Sequence, residues 1–267
     1  MLEHYRNQSC PELAELLAED AVTYAVLINI LQDSCTDIYT DHKNVIVCYS
    51  LPPYPVWVWC RDPGREENVD SIAGCLGEAF APEDGYGYIL DCGLLNRLRE
   101  KNPRFRRMRM KMGLLSYRLD QLRDIDASCD GFFSLAKEEE IPYLTKLWHD
   151  LAFEMEGHDL SPERCGERVR SRMAAKSLYV WRRNDGEITA LTARQDAGRY
   201  GKISAVYTLP GYRRRGYAIH LVHKVTQLIL EDGRIPILYT DASYAASNAC
   251  YQKIGFREVG SLCSVCE

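Results

Sequence analysis

The run Val206-Tyr-Thr-Leu-Pro-Gly-Tyr-Arg-Arg-Arg-Gly-Tyr-Ala218 leaves the chain around it few options. Val206, Tyr207 and Thr208 are strand formers. Pro210 and Gly211 cannot continue a central strand. From Ala218 onward Leu221, Val222, Val225, Leu228 and Ile229 fall at helical spacing. Strand, tight basic turn and helix are therefore predicted in that order. A helix fed by a turn begins with backbone N–H groups that have no intrahelical partner, at the positive end of the helix dipole. A phosphate suits that place. Gly216 has no Cβ, so a phosphate oxygen can approach the main chain closely.

A chain of 267 residues suffices for one large domain or two ordinary ones. With 46% hydrophobic and 27% charged residues it can bury a core. The net charge of −5 argues against a general nucleic-acid binder. No leader pattern opens residues 1–17, and the apolar run 25–31 is broken by Asn29, so neither export nor a membrane span is expected. The expectation is a soluble cytoplasmic protein. The 11 cysteines are an odd number scattered along a large chain, which reads as free thiols in a reducing compartment. Cys263 and Cys266 form one local pair, without the second pair or histidines that a metal site wants, so no metal is expected.

Residues 3–33 read as helical, with Pro11 suiting a first turn. From Asp37 the texture changes to short strands, at 45–49 and 56–60, followed by helix 69–80, strand 87–90 and helix 94–101. Over 105–119, Arg107, Arg109 and Lys111 alternate with Met108, Met110 and Met112. That pattern is either a platform for an anionic ligand or an ordinary edge strand blunted by charge. The polar stretch 124–131 marks a domain boundary, giving domains 1–125 and 131–267. Beyond it come strand 132–136, helix 138–156 and a helix started by Ser161 and Pro162. Strands 178–182 and 188–193 join through Asn184-Asp185-Gly186. Strand 202–208, helix 216–231, strand 236–240, helix 244–253 and strand 256–263 complete the reading.

Arg213-x-x-Gly216-x-Ala218 resembles the acyl-CoA signature, Arg/Gln-x-x-Gly-x-Gly/Ala, of the GNAT superfamily of acetyl-CoA-dependent N-acetyltransferases. Tyr239-Thr-Asp-Ala-Ser-Tyr-Ala-Ala-Ser-Asn-Ala-Cys-Tyr251-Gln-Lys-Ile-Gly-Phe256 is similar to the family's later Asn-rich helix with Tyr-x-Lys-x-Gly-Phe. The layout, with Thr208-Leu-Pro-x-Tyr212-Arg213, also resembles the glycine N-acyltransferase-like branch, in which a degenerate acetyltransferase-like domain precedes a working one. The resemblance implies an α+β fold: a mixed, mostly antiparallel sheet with helices on both faces, splayed at the coenzyme site. A smaller α/β domain precedes it, with a degenerate GNAT-like half as one reading.

The resemblance also implies roles. Acetyl-CoA is the co-substrate. Its diphosphate meets the main chain of Arg213, Arg214, Arg215, Gly216, Tyr217 and Ala218, and its pantetheine arm meets the backbone of Val206, Tyr207 and Thr208. Tyr251 is the proton donor to the departing thiolate, with Ser247 and Asn248 on the same helix face. No carboxylate lies on 202–208, where the glycine N-acyltransferase-like branch expects a base. Asp196, Glu154, Glu156 and His158 remain open for that role, as does a water chain ending at Ser204 or Tyr207. The expected reaction is acetyl transfer to the primary amine of a small molecule or peptide, by direct attack in a ternary complex. A CoA-binding module without turnover, acting as a sensor or protein-interaction element, is the alternative. No nucleic-acid or membrane partner is expected, and a homodimer stays open. A P-loop is excluded, because no Gly-Lys-Ser/Thr follows the turn.

Overall fold

Alternation of side chains decides most of this architecture. The computed structural model describes residues 2–32, 36–52, 54–125, 129–156 and 160–267, with the backbone alone for 155 and 156. In chain order the elements are β1 (Glu3–Arg6), α1 (Ala25–Ile30), β2 (Asp37–Thr40), β3 (Val45–Tyr49), β4 (Val56–Cys60), α2 (Glu66–Ala79), β5 (Tyr88–Leu90), α3 (Cys92–Lys101) and β6 (Arg109–Leu119). Then come β7 (Phe132–Leu135), α4 (Ile141–Glu156), α5 (Pro162–Ala174), β8 (Leu178–Arg182), β9 (Ile188–Ala197) and β10 (Tyr200–Thr208). The last are α6 (Tyr217–Glu231), β11 (Ile235–Asp241), α7 (Ala245–Ile254) and β12 (Phe256–Cys266).

The chain forms two compact units. The first comprises 1–117, 240–245 and 258–267; the second comprises 118–239 and 246–257. In the first, strands run in the order β1-β2-β3-β4-β5-β12-β6. β4 and β5 are parallel and joined by α2, while β12 runs antiparallel to β5. Val45, Val47, Val56 and Val58 turn to one face with α2 and α3. Ile46, Cys48, Trp57 and Trp59 turn to the other with α1 and the 3-10 segment Pro11–Leu17. A sheet covered on both faces needs continuous apolar runs rather than alternation with polar residues.

Three expectations fail in this unit. Residues 3–33 are not one helix, because Glu3–Arg6 pairs with β2, from Glu3 opposite Thr40 to Arg6 opposite Asp37. Cross-strand pairing there overrides a weak helical stripe. The strand expected from Phe105 begins at Arg109, because Asn102 accepts from the Arg104 N–H and Pro103 opens a 3-10 turn. Met108 is buried but Met110 is 53% exposed, so the methionines do not share an apolar face. Finally, Cys263 is not a free thiol: it forms a disulfide with Cys92, 171 residues away in sequence, at the start of α3.

In the second unit the order is β11-β10-β9-β8-β7. β7 to β10 are antiparallel neighbours, and β10–β11 is the parallel pair that α6 connects. α4 and α5 pack on one face through Leu144, Leu147, Leu151, Cys165 and Val169, against Val180, Leu191 and Tyr207. α6 buries Leu221, Val222, Val225 and Ile229, the stripe expected from its sequence. Ser161 caps α5 by accepting from the Arg164 N–H. No helix among the described residues is long and apolar enough to cross a membrane.

Candidate functional site

β10 is hydrogen-bonded on both sides only over its first half. Its pairing with β11 runs from Tyr200 opposite Ile235 to Ile203 opposite Leu238 and stops there, while both strands continue. On the β9 side the register shifts between Ser204 and Tyr207, and Ala205 takes a positive φ of 53°. That is a β-bulge, which bends a strand and re-aims its backbone. Strands 202–208 and 236–240 thus part where an amide-rich ligand would need an open edge.

Past Thr208 the chain makes a 3-10 turn at Pro210–Tyr212, and Arg213 returns to extended backbone. Arg214 has φ 62° and Gly216 has φ 88°, so two left-handed residues flank Arg215. Alternation of this kind curls successive N–H groups into a concave anion-binding nest. Gly216 is the N-cap of α6, and no side chain caps that end. The terminal donors are therefore left to a ligand or to water. Arg214 and Arg215 carry exposed side chains, and Tyr217 is buried, which anchors the first helical turn. The Arg215 guanidinium lies 5.4 Å from the Tyr212 ring centroid.

Tyr212 and Arg213 tie this turn to partners 25 and 59 residues away, separations that no local pattern announces. The Tyr212 hydroxyl donates to Glu187, at the β8–β9 turn, and that bond pushes the Tyr212 phenol upward. Arg213 reaches α4: its Nη2 lies 2.8 and 2.6 Å from the Glu154 carboxylate oxygens, and its Nε donates to the Thr208 carbonyl at 3.0 Å. The Tyr207 hydroxyl donates to Glu154 at 3.3 Å. Burial first, then the carboxylates of Glu154 and Asp150, push the Tyr207 phenol up to about 12. Tyr207 therefore stays protonated near neutrality.

Tyr251 is 6% exposed on α7, with its ring centroid 6.4 Å from that of Phe256. Burial pushes its phenol upward, which keeps the proton on. Asn248 is buried and Ser247 half-buried on the same helix. Val206 and Thr208 are half-buried. Asp196 lies opposite Gly201 and is held by Arg194 at 2.7 Å and Arg234 at 3.4 Å, at the far end of β10. Seven residues of strand, roughly 20 Å, separate that level from Thr208. The Ser204 hydroxyl donates to the Ala193 carbonyl at 3.4 Å. His158 lies outside the described residues, and so does the Glu156 side chain. Among the described residues no group of three or more His, Cys, Asp or Glu is placed to hold a metal ion. A cleft of about 430 Å³ lined by Arg106, Arg107, Met108, Arg109 and Glu267 belongs to the first unit, which carries none of the turn's residues.

Residues 175–265 match the family model described as FR47-like protein. No curated protein matches the sequence. Among solved structures, a GCN5-related N-acetyltransferase from Sphaerobacter thermophilus superposes with a TM-score of 0.70 at 14% identity, over 99% of this chain and 95% of that one. A Drosophila protein gives 0.67 at 14% identity, over 99% and 98%. A GNAT-family acetyltransferase from Colwellia psychrerythraea gives 0.64 at 11% identity, over all of both chains. At such identities the likeness speaks for the fold, and the fold is that of the GNAT acetyltransferases.

Proposed function

We propose that this chain, built on the GNAT fold, is an acyl-CoA-dependent N-acyltransferase that moves an acetyl group from acetyl-CoA to the primary amine of a small molecule or peptide. The observation that carries the reading is the end of β10–β11 pairing at Ile203 and Leu238, in a unit whose next helix starts without a side-chain cap. The open backbone of Val206 and Thr208 suits the amides of a pantetheine arm, used as an added strand would use it. The N–H groups of Arg214 to Ala218 suit a diphosphate. Ser247 and Asn248 are assigned to the arm.

Acyl transfer needs a neutral amine, donors for the oxyanion, and a proton for the leaving thiolate. Backbone N–H groups at the bulge supply the second, and Tyr251, kept protonated by burial, supplies the third. A CoA-binding module without turnover is the second reading, favoured by the ion pair that occupies Glu154.

Thermal unfolding with acetyl-CoA tests the coenzyme. At about 100 times Kd the melting temperature rises by roughly 5 °C. Gly216→Glu removes that shift, since it adds negative charge to the anion site and a side chain at φ 88°. A wild type without any shift ends every coenzyme-based reading. An amine panel with free-thiol detection tests turnover. Tyr251→Phe slows thiol release on the order of a hundredfold with the thermal shift kept. A shift with silence across the panel leaves the module.

A further inference from the structure

One guanidinium spans the two sides of this region. Arg213 holds the Glu154 carboxylate of α4 at 2.6 Å and the Thr208 carbonyl, the last of β10, at 3.0 Å. Both side chains are open to solvent, at 44% and 41%. An exposed pair of this kind is weak and readily exchanged. The backbone of Arg213 leads directly into the nest at Arg214–Gly216. The nest begins one residue after Arg213, and a diphosphate is the kind of anion that the bidentate fork of arginine suits.

We propose that the diphosphate of an incoming acyl-CoA takes Arg213 away from Glu154, and that this carboxylate, still held by the Tyr207 hydroxyl, is the general base for the acceptor amine. The inference rests on the acyltransferase reading above. No carboxylate lies on β10 between Lys202 and Thr208. Asp196 is bound into an arginine network at the other end of the strand. Glu154 is tied to the open end itself. In the step, the ammonium N–H bond breaks and its proton passes to Glu154. The freed lone pair forms the C–N bond, the C–S electrons leave on sulfur, and the Tyr251 proton completes the thiol. Water takes that first proton from Glu154; the second nitrogen proton, lost as the amide forms, then passes to Glu154 and through water back to Tyr251, which leaves a neutral amide and both side chains as they began. The carboxylate is thus paired with Arg213 until the donor substrate is present.

Titration calorimetry with CoA on wild type, Glu154→Gln, Arg213→Gln and the double variant tests the exchange. Removing Glu154 frees Arg213 in advance, so Glu154→Gln binds CoA roughly two- to fivefold tighter, the worth of an exposed ion pair. In the Arg213→Gln background the gain disappears, and with pantetheine, which has no diphosphate, it is absent. With the panel amine that releases thiol fastest, Glu154→Gln loses on the order of a hundredfold in turnover, and Glu154→Asp recovers part of it. A wild type that does not bind CoA overturns the acyltransferase reading. Wild-type binding with no gain in Glu154→Gln, or an equal gain with pantetheine, overturns the exchange. Wild-type turnover in Glu154→Gln overturns the base, and a wild type silent across the panel overturns the enzyme and the base together.

Discussion

Arg182 is a charge that the second unit has closed over. Its side chain is 6% exposed, and it donates to both oxygens of Glu140 and, at 2.8 Å, to the Ser134 hydroxyl. Burial raises the Glu140 carboxyl, but Arg182 and the Lys137 N–H outweigh it and hold the carboxyl below its usual value. A depressed carboxylate adds stability above its unfolded pKa and loses that stability as pH falls through the folded value. Arg182→Met leaves the half-buried Glu140 carboxylate with the Lys137 N–H but without its cation, and costs about 2 kcal/mol at pH 7. The cost shrinks as pH falls below the ordinary glutamate value and on through the lower folded one, because the carboxyl then protonates. Urea midpoints of both proteins at pH 7 and 3.5 check this; an equal gap at the two pH values would refute the pairing. No sequence pattern announces such a pair, because its members lie 42 residues apart. Arg213 and Glu154, 59 apart, escaped notice for the same reason. The turn and helix start at Gly216 were legible because their chemistry is local: a proline and a glycine that stop a strand, then apolar residues at helical spacing.

At the scale of elements, β10 and α6 depend on close approach. A Cβ on Gly201 would stand 2.5 Å from the Ile229 side chain, so the helix lies against bare backbone there. Gly201→Val costs about 2 kcal/mol by overpacking. Adding Ile229→Ala, which opens the space, costs less than the two changes summed, by at least ~0.5 kcal/mol. Urea unfolding of the three variants measures it, and strict additivity would show that the glycine serves something else. Elements of the second unit were readable because caps, turns and periodicity agree, as in Ser161, Asn184-Asp185-Gly186 and the α6 stripe. β1 was not readable. Its four residues, Glu3–Arg6, are mostly exposed and carry no alternation, and only a partner strand 34 or so positions on makes them extended. The bulge at Ala205 was equally silent, since alanine carries no bias towards positive φ.

Across the whole molecule, the order of residues and the order of packing disagree. β12 leaves α7, the helix of Tyr251, yet its residues 258–266 belong to the first unit, where they run beside β5 and are bonded to α3 through Cys92 and Cys263. Leu262 enters one face of that unit's core, and Cys263 and Val265 enter the other. The stretch 256–263 was legible as a strand, but its neighbour was not, because a strand's own pattern does not name the edge it joins. Residues 1–117 expressed alone lack this strand and show no cooperative thermal transition; adding a peptide of residues 256–267 restores one. A sharp transition without the peptide would refute the dependence. During synthesis the consequence is one of timing. Some 140 residues separate the end of the first unit's main segment from the strand that completes it. The first unit then waits, incomplete and with β5 unpaired along one side, until the second has been made. Such an open edge is where a growing chain is most exposed to aggregation and most in need of a chaperone.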